Sequence, residues 1–372
     1  MVTDSAEMEL PARITRYGRV SEALAALDER ELARLVRGAR PLAHGIGGTS
    51  ALLTIGDTPV FVKRIPLSDR ERRPEHVLST ANLFGLPPYC QYGVGGPGFG
   101  VWREVTANTM TTDWVLARRT EAFPLLYHWR TLPGSPPLAE ELADVDRTVA
   151  YLHGSAAVRE RIEAAATASA SVVLFLEYVP DGLDDWLRSR LAEGPAAIAT
   201  AAAMVERRLR LDLGFLNSAG LLHFDAHFGN IRTDGTRLYL VDLGLASSPR
   251  FALSAAEADF VARHGSHDVG YALTQLLNWL VVHVCGVPVP PAGGPVQRND
   301  YLRRCAAGGE IAGAPPAIAA LIRRYAPVAV AVNDFYWELF GTSRTTPYPA
   351  GRIDPLVTGL PPLPAPRPAA AP

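Results

Sequence analysis

The chain has 372 residues, a formal net charge of −2, 48% hydrophobic residues and 20% charged residues. That length suggests two domains, or two lobes about a cleft, and the composition excludes a wholly disordered chain. The charge excludes a basic nucleic-acid-binding surface spread over the whole molecule.

Lys and Arg together number 36, yet Lys63 is the one lysine. Richness in Ala, Gly and Pro suggests a GC-rich coding bias that turns surface lysines into arginines. Lys63 then has two readings: a residue the bias has spared, or a position that needs a compact ammonium, which a planar guanidinium does not replace. Cys90, Cys285 and Cys305 are widely spaced. They suggest neither a metal site nor a disulfide framework and fit a reducing cytoplasm. The first residues, MVTDSAEMELPAR, contain acids and no apolar core, so they do not read as a signal peptide. The apolar stretch 271–289 is interrupted by Gln275 and Asn278 and reads as a buried helix, not a membrane span. Neither nucleic acid nor membrane is expected as a partner.

In chain order, residues 1–20 have weak periodicity. Leu24, Leu27, Leu32 and Leu35 predict an amphipathic helix over 21–38. Residues 39–67 alternate as strand, glycine turn, strand, tight turn at Gly56–Pro59, and strand: an antiparallel meander with Lys63 near the end of its third strand. Residues 66–100 are Gly- and Pro-rich, and CQYGVGGPGFG holds five glycines in eleven residues, a loop signal. The pattern predicts a helix over 101–118, a strand at 123–132, helix over 137–168 and an apolar strand at 171–179. A short helix and a long one ending at Gly220 follow. LLHFDAHFGNI is a polar loop between apolar ends, RLYLVDLG is a short strand running into a glycine, and the chain beyond residue 255 is mainly helical. The closing LPPLPAPRPAAAP reads as a disordered tail.

The chemistry concentrates in His223-Phe224-Asp225-Ala226-His227-Phe228-Gly229-Asn230, followed by a strand and Asp242-Leu243-Gly244. Asn230 and Asp242 offer hard oxygens suited to Mg²⁺, which binds through few protein oxygens plus phosphates. Asp225 is then free to accept a proton from, or orient, an attacking hydroxyl. A competing reading makes His223, Asp225 and His227 ligands of a transition metal. It leaves Asn230 and the Asp-Leu-Gly turn unexplained.

HFDAHFGN and DLG resemble, in order and spacing, the H-x-D-x-x-x-x-N catalytic loop and metal-binding D-x-G of the protein-kinase-like superfamily. The histidine two residues after the aspartate is most similar to the aminoglycoside and choline phosphotransferase branch. The resemblance extends over roughly residues 40–280. VFVK resembles the V-A-I-K strand, which implies that Lys63 binds ATP phosphates. AHGIGGTS resembles the glycine-rich loop, with Gly45, Gly47 and Gly48 over the phosphates, although Ser50 stands where the third motif glycine would be. LEYVPDGLDDWL resembles the hinge, which implies that the backbone of Glu177 to Val179 lies near adenine. HDVGYALTQLL resembles the helix whose aspartate, here Asp268, anchors the catalytic loop. Glu71, Glu75 and Glu104 are candidates for the glutamate that pairs with the lysine, and Glu104 is chosen because the pair needs a helix packed on the sheet. Phe224 replaces the H-R-D arginine and no A-P-E motif follows, so control by activation-loop phosphorylation is not expected.

The implied fold is α+β and bilobal. It comprises an N-terminal helical extension over 1–39, a small antiparallel-sheet lobe with a Gly/Pro-rich insertion over 40–179, a larger helical lobe over 180–345 and a Pro/Ala-rich tail over 346–372. The implied activity is a cytoplasmic ATP- and Mg²⁺-dependent phosphotransferase acting on a hydroxyl, with Ser or Thr of a protein or peptide slightly preferred. A small-molecule, aminoglycoside-type acceptor and a nucleotide-binding pseudokinase scaffold are the alternatives. Asp181, Asp184 and Asp185 could line a site for a cationic aminoglycoside. Arg103 reads as a solvated helix charge, and His153, His264 and His267 as surface or cap residues.

Overall fold

Two helices open the computed structural model, which describes residues 9–93, 95–291 and 294–363. They are α1 (Leu10–Ala25) and α2 (Glu29–Arg37), where the periodicity predicted one helix over 21–38. The break has a local cause. Asp28 accepts a bond from the Glu31 amide, and the Glu31 carboxylate accepts one from the Asp28 amide, so a capping box starts a new helix inside the leucine pattern.

The meander follows as β1 (Arg40–Gly45), β2 (Gly48–Ile55) and β3 (Thr58–Leu67). Gly48 has φ +110°, and a Cβ there would lie 2.2 Å from the Arg64 carbonyl oxygen, so only glycine lets β2 start against β3. Then come α3 (Val101–Leu116), β4 (Leu126–Pro133), α4 (Val145–Tyr151), α5 (Ala156–Ala166) and β5 (Ala170–Glu177). The five strands form one antiparallel sheet in the order β1-β2-β3-β5-β4. β5 lies inside it and is buried along its length, which accounts for its unbroken apolar sequence.

Beyond the sheet lie β6 (Asp181–Gly182), α6 (Leu183–Ala192), α7 (Pro195–Ser218), β7 (Ile231–Thr233) and β8 (Leu238–Leu240). The three strands pair as a small second sheet. The remaining helices are α8 (Ala255–Arg263), α9 (His267–His283), α10 (Val296–Ala306), α11 (Pro316–Gly341) and α12 (Ala350–Thr358). None of the described helices is long and apolar enough to cross a membrane.

Two expectations change, and a third is filled in. The segment 137–168 is not continuous helix: a 3-10 turn at Glu140–Leu142 precedes α4, and His153 and Gly154 turn the chain at positive φ before α5. The Gly/Pro-rich stretch 66–100 is irregular between β3 and α3 as its glycines suggest, and it is packed: Phe84, Leu86, Tyr92 and Phe99 build a second core with Leu142, Leu152 and Phe335. The tail does not begin at 346. α12 buries Ile353 against Val328 and Val332. Residues 364–372 of the expected tail, and 1–8 of the N-terminal extension, lie outside the described residues.

Candidate functional site

The loop after α7 is shaped from below by Asp268, in the first turn of α9. Its carboxylate is fully buried and accepts the His223 amide at 2.7 Å and the Phe224 amide at 2.9 Å. Two buried backbone donors are thereby satisfied. Phe224 is held at φ +64°, its ring buried among Leu222 and Val261. Such a conformation in a bulky residue persists only where the surroundings enforce it.

The turn brings Asp225 and Asn230 together. The Asn230 amide donates to the Asp225 carbonyl at 3.0 Å and to Asp225 Oδ2 at 2.9 Å. Burial first, and then the charge of Asp242, push the Asp225 carboxyl up to about 7, against the Asn230 bond. His227 folds onto its own turn and accepts the Gly229 amide through Nδ1. His223 is engaged on both ring nitrogens: Nδ1 accepts from the Asp225 amide, so Nε2 donates to the Val241 carbonyl. That removes His223 from the competing metal set, and no group of three metal-binding side chains occurs among the described residues.

Lys63 projects from β3, opposite Ser50 and Leu174 in the sheet register. Its ammonium donates to Glu104 Oε1 at 2.7 Å and to Asp242 Oδ1 at 2.8 Å. The two carboxylates outweigh burial and hold Lys63 charged. Burial raises Glu104 despite Lys63, whereas Lys63 overcomes burial at Asp242 and keeps its carboxyl low. Asp242 sits in the left-handed region at φ +60° and accepts the Gly244 amide at 3.3 Å.

Glu104 is thus the partner among the three candidates. Glu71 is engaged elsewhere. It accepts the amides of Ser68 and Val101 and pairs with Arg161 at 3.1 Å, which fixes the start of α3. Glu75 lies in the 3-10 turn Pro74–His76, which has no buried residue.

Lys63, Glu104, Asp225, Asn230 and Asp242 open onto one cavity of about 860 Å³. Its roof is the β1–β2 turn. Gly45, Gly47 and Gly48 line it, and a Cβ on Gly47 would lie 3.0 Å from Lys63 Nζ. Its rear wall is the chain from Leu176 to Val179 at the end of β5, where the Glu177 amide donates to the Leu125 carbonyl. Asp181, Asp184 and Asp185 do not line it, and Asp184 instead accepts from Trp279 Nε1 and pairs with Arg188.

Mg²⁺ can be tested against the donors. Asn230 uses its amide nitrogen on Asp225, and no hydrogen bond among the described residues reaches Asn230 Oδ1 or Asp242 Oδ2. A carboxylate oxygen and a neutral carbonyl oxygen lining the same cavity fit a cation that takes few protein ligands.

Several contributors escaped the sequence reading. Arg13, from a segment of weak periodicity, is fully buried and bonds Glu177 through Nε and Nη2 and the Phe123 carbonyl at 2.6 Å; Arg16 adds a 2.8 Å pair to Glu177. Burial would raise Glu177, but the two guanidiniums hold its carboxyl low. Arg103 is not solvated. It is buried and pairs with Glu257 at 2.7 Å, because α3 packs on the 245–260 segment as well as on the sheet. His264 and His267 are buried too, whereas His153 is exposed as expected. The Gly-rich segment crosses the cavity, and a Cβ on Gly93 would lie 2.2 Å from Asp225 Oδ1. The glycine density signalled a loop, and its close approach to a carboxylate was invisible in one dimension. No protein-family model and no curated protein matches the chain.

Proposed function

We propose that the chain is an ATP-dependent phosphotransferase with a bilobal, protein-kinase-like arrangement, the five-stranded sheet forming one lobe and the helices from α6 onward the other. The observation that carries this is Lys63. The single lysine bridges Glu104 and Asp242 in a cavity that also holds Asp225 and Asn230. A structural ion pair needs one carboxylate, whereas an ammonium between a helix glutamate and a turn aspartate is poised to receive phosphate oxygens.

Adenine would stack beside the backbone of Glu177 and Val179, with the phosphates beneath Gly45, Gly47 and Gly48. Lys63 would hold the α- and β-phosphates, oriented by Glu104. Asn230 Oδ1 and Asp242 would hold Mg²⁺, which when bound supplies charge neutralisation across the β- and γ-phosphates. Asp225 would take the acceptor's hydroxyl proton as the new oxygen–phosphorus bond forms and ADP leaves. Its raised pKa suits that exchange near neutral pH. Most of the acceleration would come from positioning and electrostatics.

Ser or Thr of a protein or peptide is the preferred acceptor, since the acids that would have favoured a cationic aminoglycoside lie outside the cavity. The test is transfer from γ-phosphate-labelled ATP to Ser peptides, a generic protein acceptor and an aminoglycoside panel. Label on a peptide or protein supports the reading. Label on aminoglycosides alone overturns the acceptor class, and nucleotide binding without label on any of them supports a scaffold instead.

A further inference from the structure

A second cavity, of about 460 Å³, opens among α9, α10 and α11. One wall is aromatic. Tyr271 and Tyr336 pack with ring centroids 5.0 Å apart, and beyond them Trp337 and Phe340 are 48% and 46% exposed. Carboxamides supply much of the polar lining: Gln275, Asn299, and Asn278 and Asn333, which bond each other reciprocally. Among the described residues no carboxylate lines the cavity, and Arg298 is its one cation.

Arg298 is oddly placed for a stabilising residue. It stands in the first turn of α10, where the helix dipole disfavours a cation. Its Nε and Nη2 share a single acceptor, Asn299 Oδ1, at 3.3 and 3.0 Å. No carboxylate among the described residues pairs with it, and burial lowers its guanidinium to about 10 with no opposing charge. A half-buried guanidinium without a counter-ion in a cavity is a position that an incoming anion improves.

A relay of side chains links the cavity to the loop that carries Asp225. Tyr336 OH lies 2.8 Å from His267 Nε2, and His267 Nδ1 lies 3.2 Å from Asp268, which holds that loop. Burial and then the Asp225 charge raise Tyr271, and Asp225 also acts on Tyr336, so the aromatic wall stands within electrostatic reach of Asp225.

We propose that this groove docks the acceptor, and that the acceptor is an acidic Ser- or Thr-containing peptide whose carboxylate pairs with Arg298. The proposal rests on the phosphotransferase reading for its purpose. Carboxamides both donate and accept and so match peptide backbone, and aromatic faces take apolar side chains. A polycationic sugar would meet an arginine and no acid.

The test is fluorescence anisotropy, without ATP, of fluorescein-labelled peptides with one central Ser flanked by Glu, Gln or Lys. The full chain is expected to bind the Glu peptide at least about tenfold more tightly than the Gln peptide, and the Lys peptide least. Arg298→Gln abolishes that preference, Arg298→Lys restores part of it, and Arg298→Glu turns it toward the Lys peptide. Equal binding of the three peptides by the wild-type chain, or a Glu preference that survives Arg298→Glu, overturns the proposal. The wild-type comparison stands even if a variant does not fold. Arg298-dependent binding without any phosphate transfer would sustain the groove and refute the phosphotransferase. Transfer to peptides irrespective of their charge would do the reverse.

Discussion

Gly93 lies against Asp225 so closely that a Cβ would sit 2.2 Å from Oδ1. Asp225 cannot swing away freely, because Asn230 holds its Oδ2 at 2.9 Å. The segment is pinned on either side of this contact. Gln91 donates to the Leu245 carbonyl, the Tyr92 hydroxyl meets His264 Nε2, and a Cβ on Gly98 would lie 3.3 Å from the Gly244 carbonyl oxygen. The Gly-rich stretch therefore ties the start of α3, which carries Glu104, to the turn that carries Asp225.

Gly93→Ala tests that tie. The methyl group must displace either the strap or the Asp225 carboxylate, and if Asp225 takes the acceptor proton as proposed, an error of that size should lower kcat by at least about tenfold. Steady-state kinetics on a folded variant measures it. A wild-type kcat would mean that Asp225 tolerates displacement.

The Arg13–Glu177 pair links the N-terminal helix to the end of β5. Glu177 is 2% exposed in its side chain and Arg13 0%. Arg13→Ala leaves that carboxylate with Arg16 and the Leu125 amide and should destabilise the fold by about 3 kcal/mol, read as a shifted urea midpoint. Replacing both partners, as Arg13→Met with Glu177→Leu, should recover much of the loss, because the uncompensated charge is gone. A double variant no more stable than the single one would contradict this account.

His264 sets a pH dependence. Its Nδ1 donates to the Phe260 carbonyl and its Nε2 accepts from Tyr92, which is the neutral ring. Burial, followed by the nearby His267, lowers its pKa to about 3. The unfolded chain protonates this residue near pH 6.5, where the folded chain does not. The stability it contributes is therefore complete above that pH and is lost as pH falls toward 3, by about 1 kcal/mol per unit. Asp212, raised to about 7 by burial, acts in the opposite direction. The comparison of wild type with His264→Phe cancels that contribution. The variant should lose stability less steeply between pH 6.5 and 5, and parallel curves would refute the assignment.

The parts of the site that are local in sequence were legible before the fold. Asp225, Asn230 and Asp242 fall within one loop and one turn, and the meander that presents Lys63 follows from alternation and its glycine turns. The choice of Glu104 needed one further physical step, that an ion pair with a strand lysine requires a packed helix. Arg13, Arg103 and the two buried histidines were not legible. Polar residues enter a core only when a distant partner meets them, and Glu177 is 164 residues from Arg13. Gly93 belongs with these, since close approach of backbone to a carboxylate leaves no trace beyond a glycine.

The central claim concerns the lone lysine, and substitution there tests it most directly. Lys63→Arg keeps the positive charge and can keep a bond to Glu104, but it cannot reproduce a compact ammonium shared with Asp242. Phosphate transfer from labelled ATP to the best hydroxyl acceptor, measured for wild type, Lys63→Arg and Asp225→Asn, should fall by at least about a hundredfold in each folded variant. Undiminished transfer in Lys63→Arg would mean that codon bias alone left this residue a lysine, undiminished transfer in both variants would contradict the assignment of the reaction to this site, and no transfer by the wild type would contradict the phosphotransferase altogether.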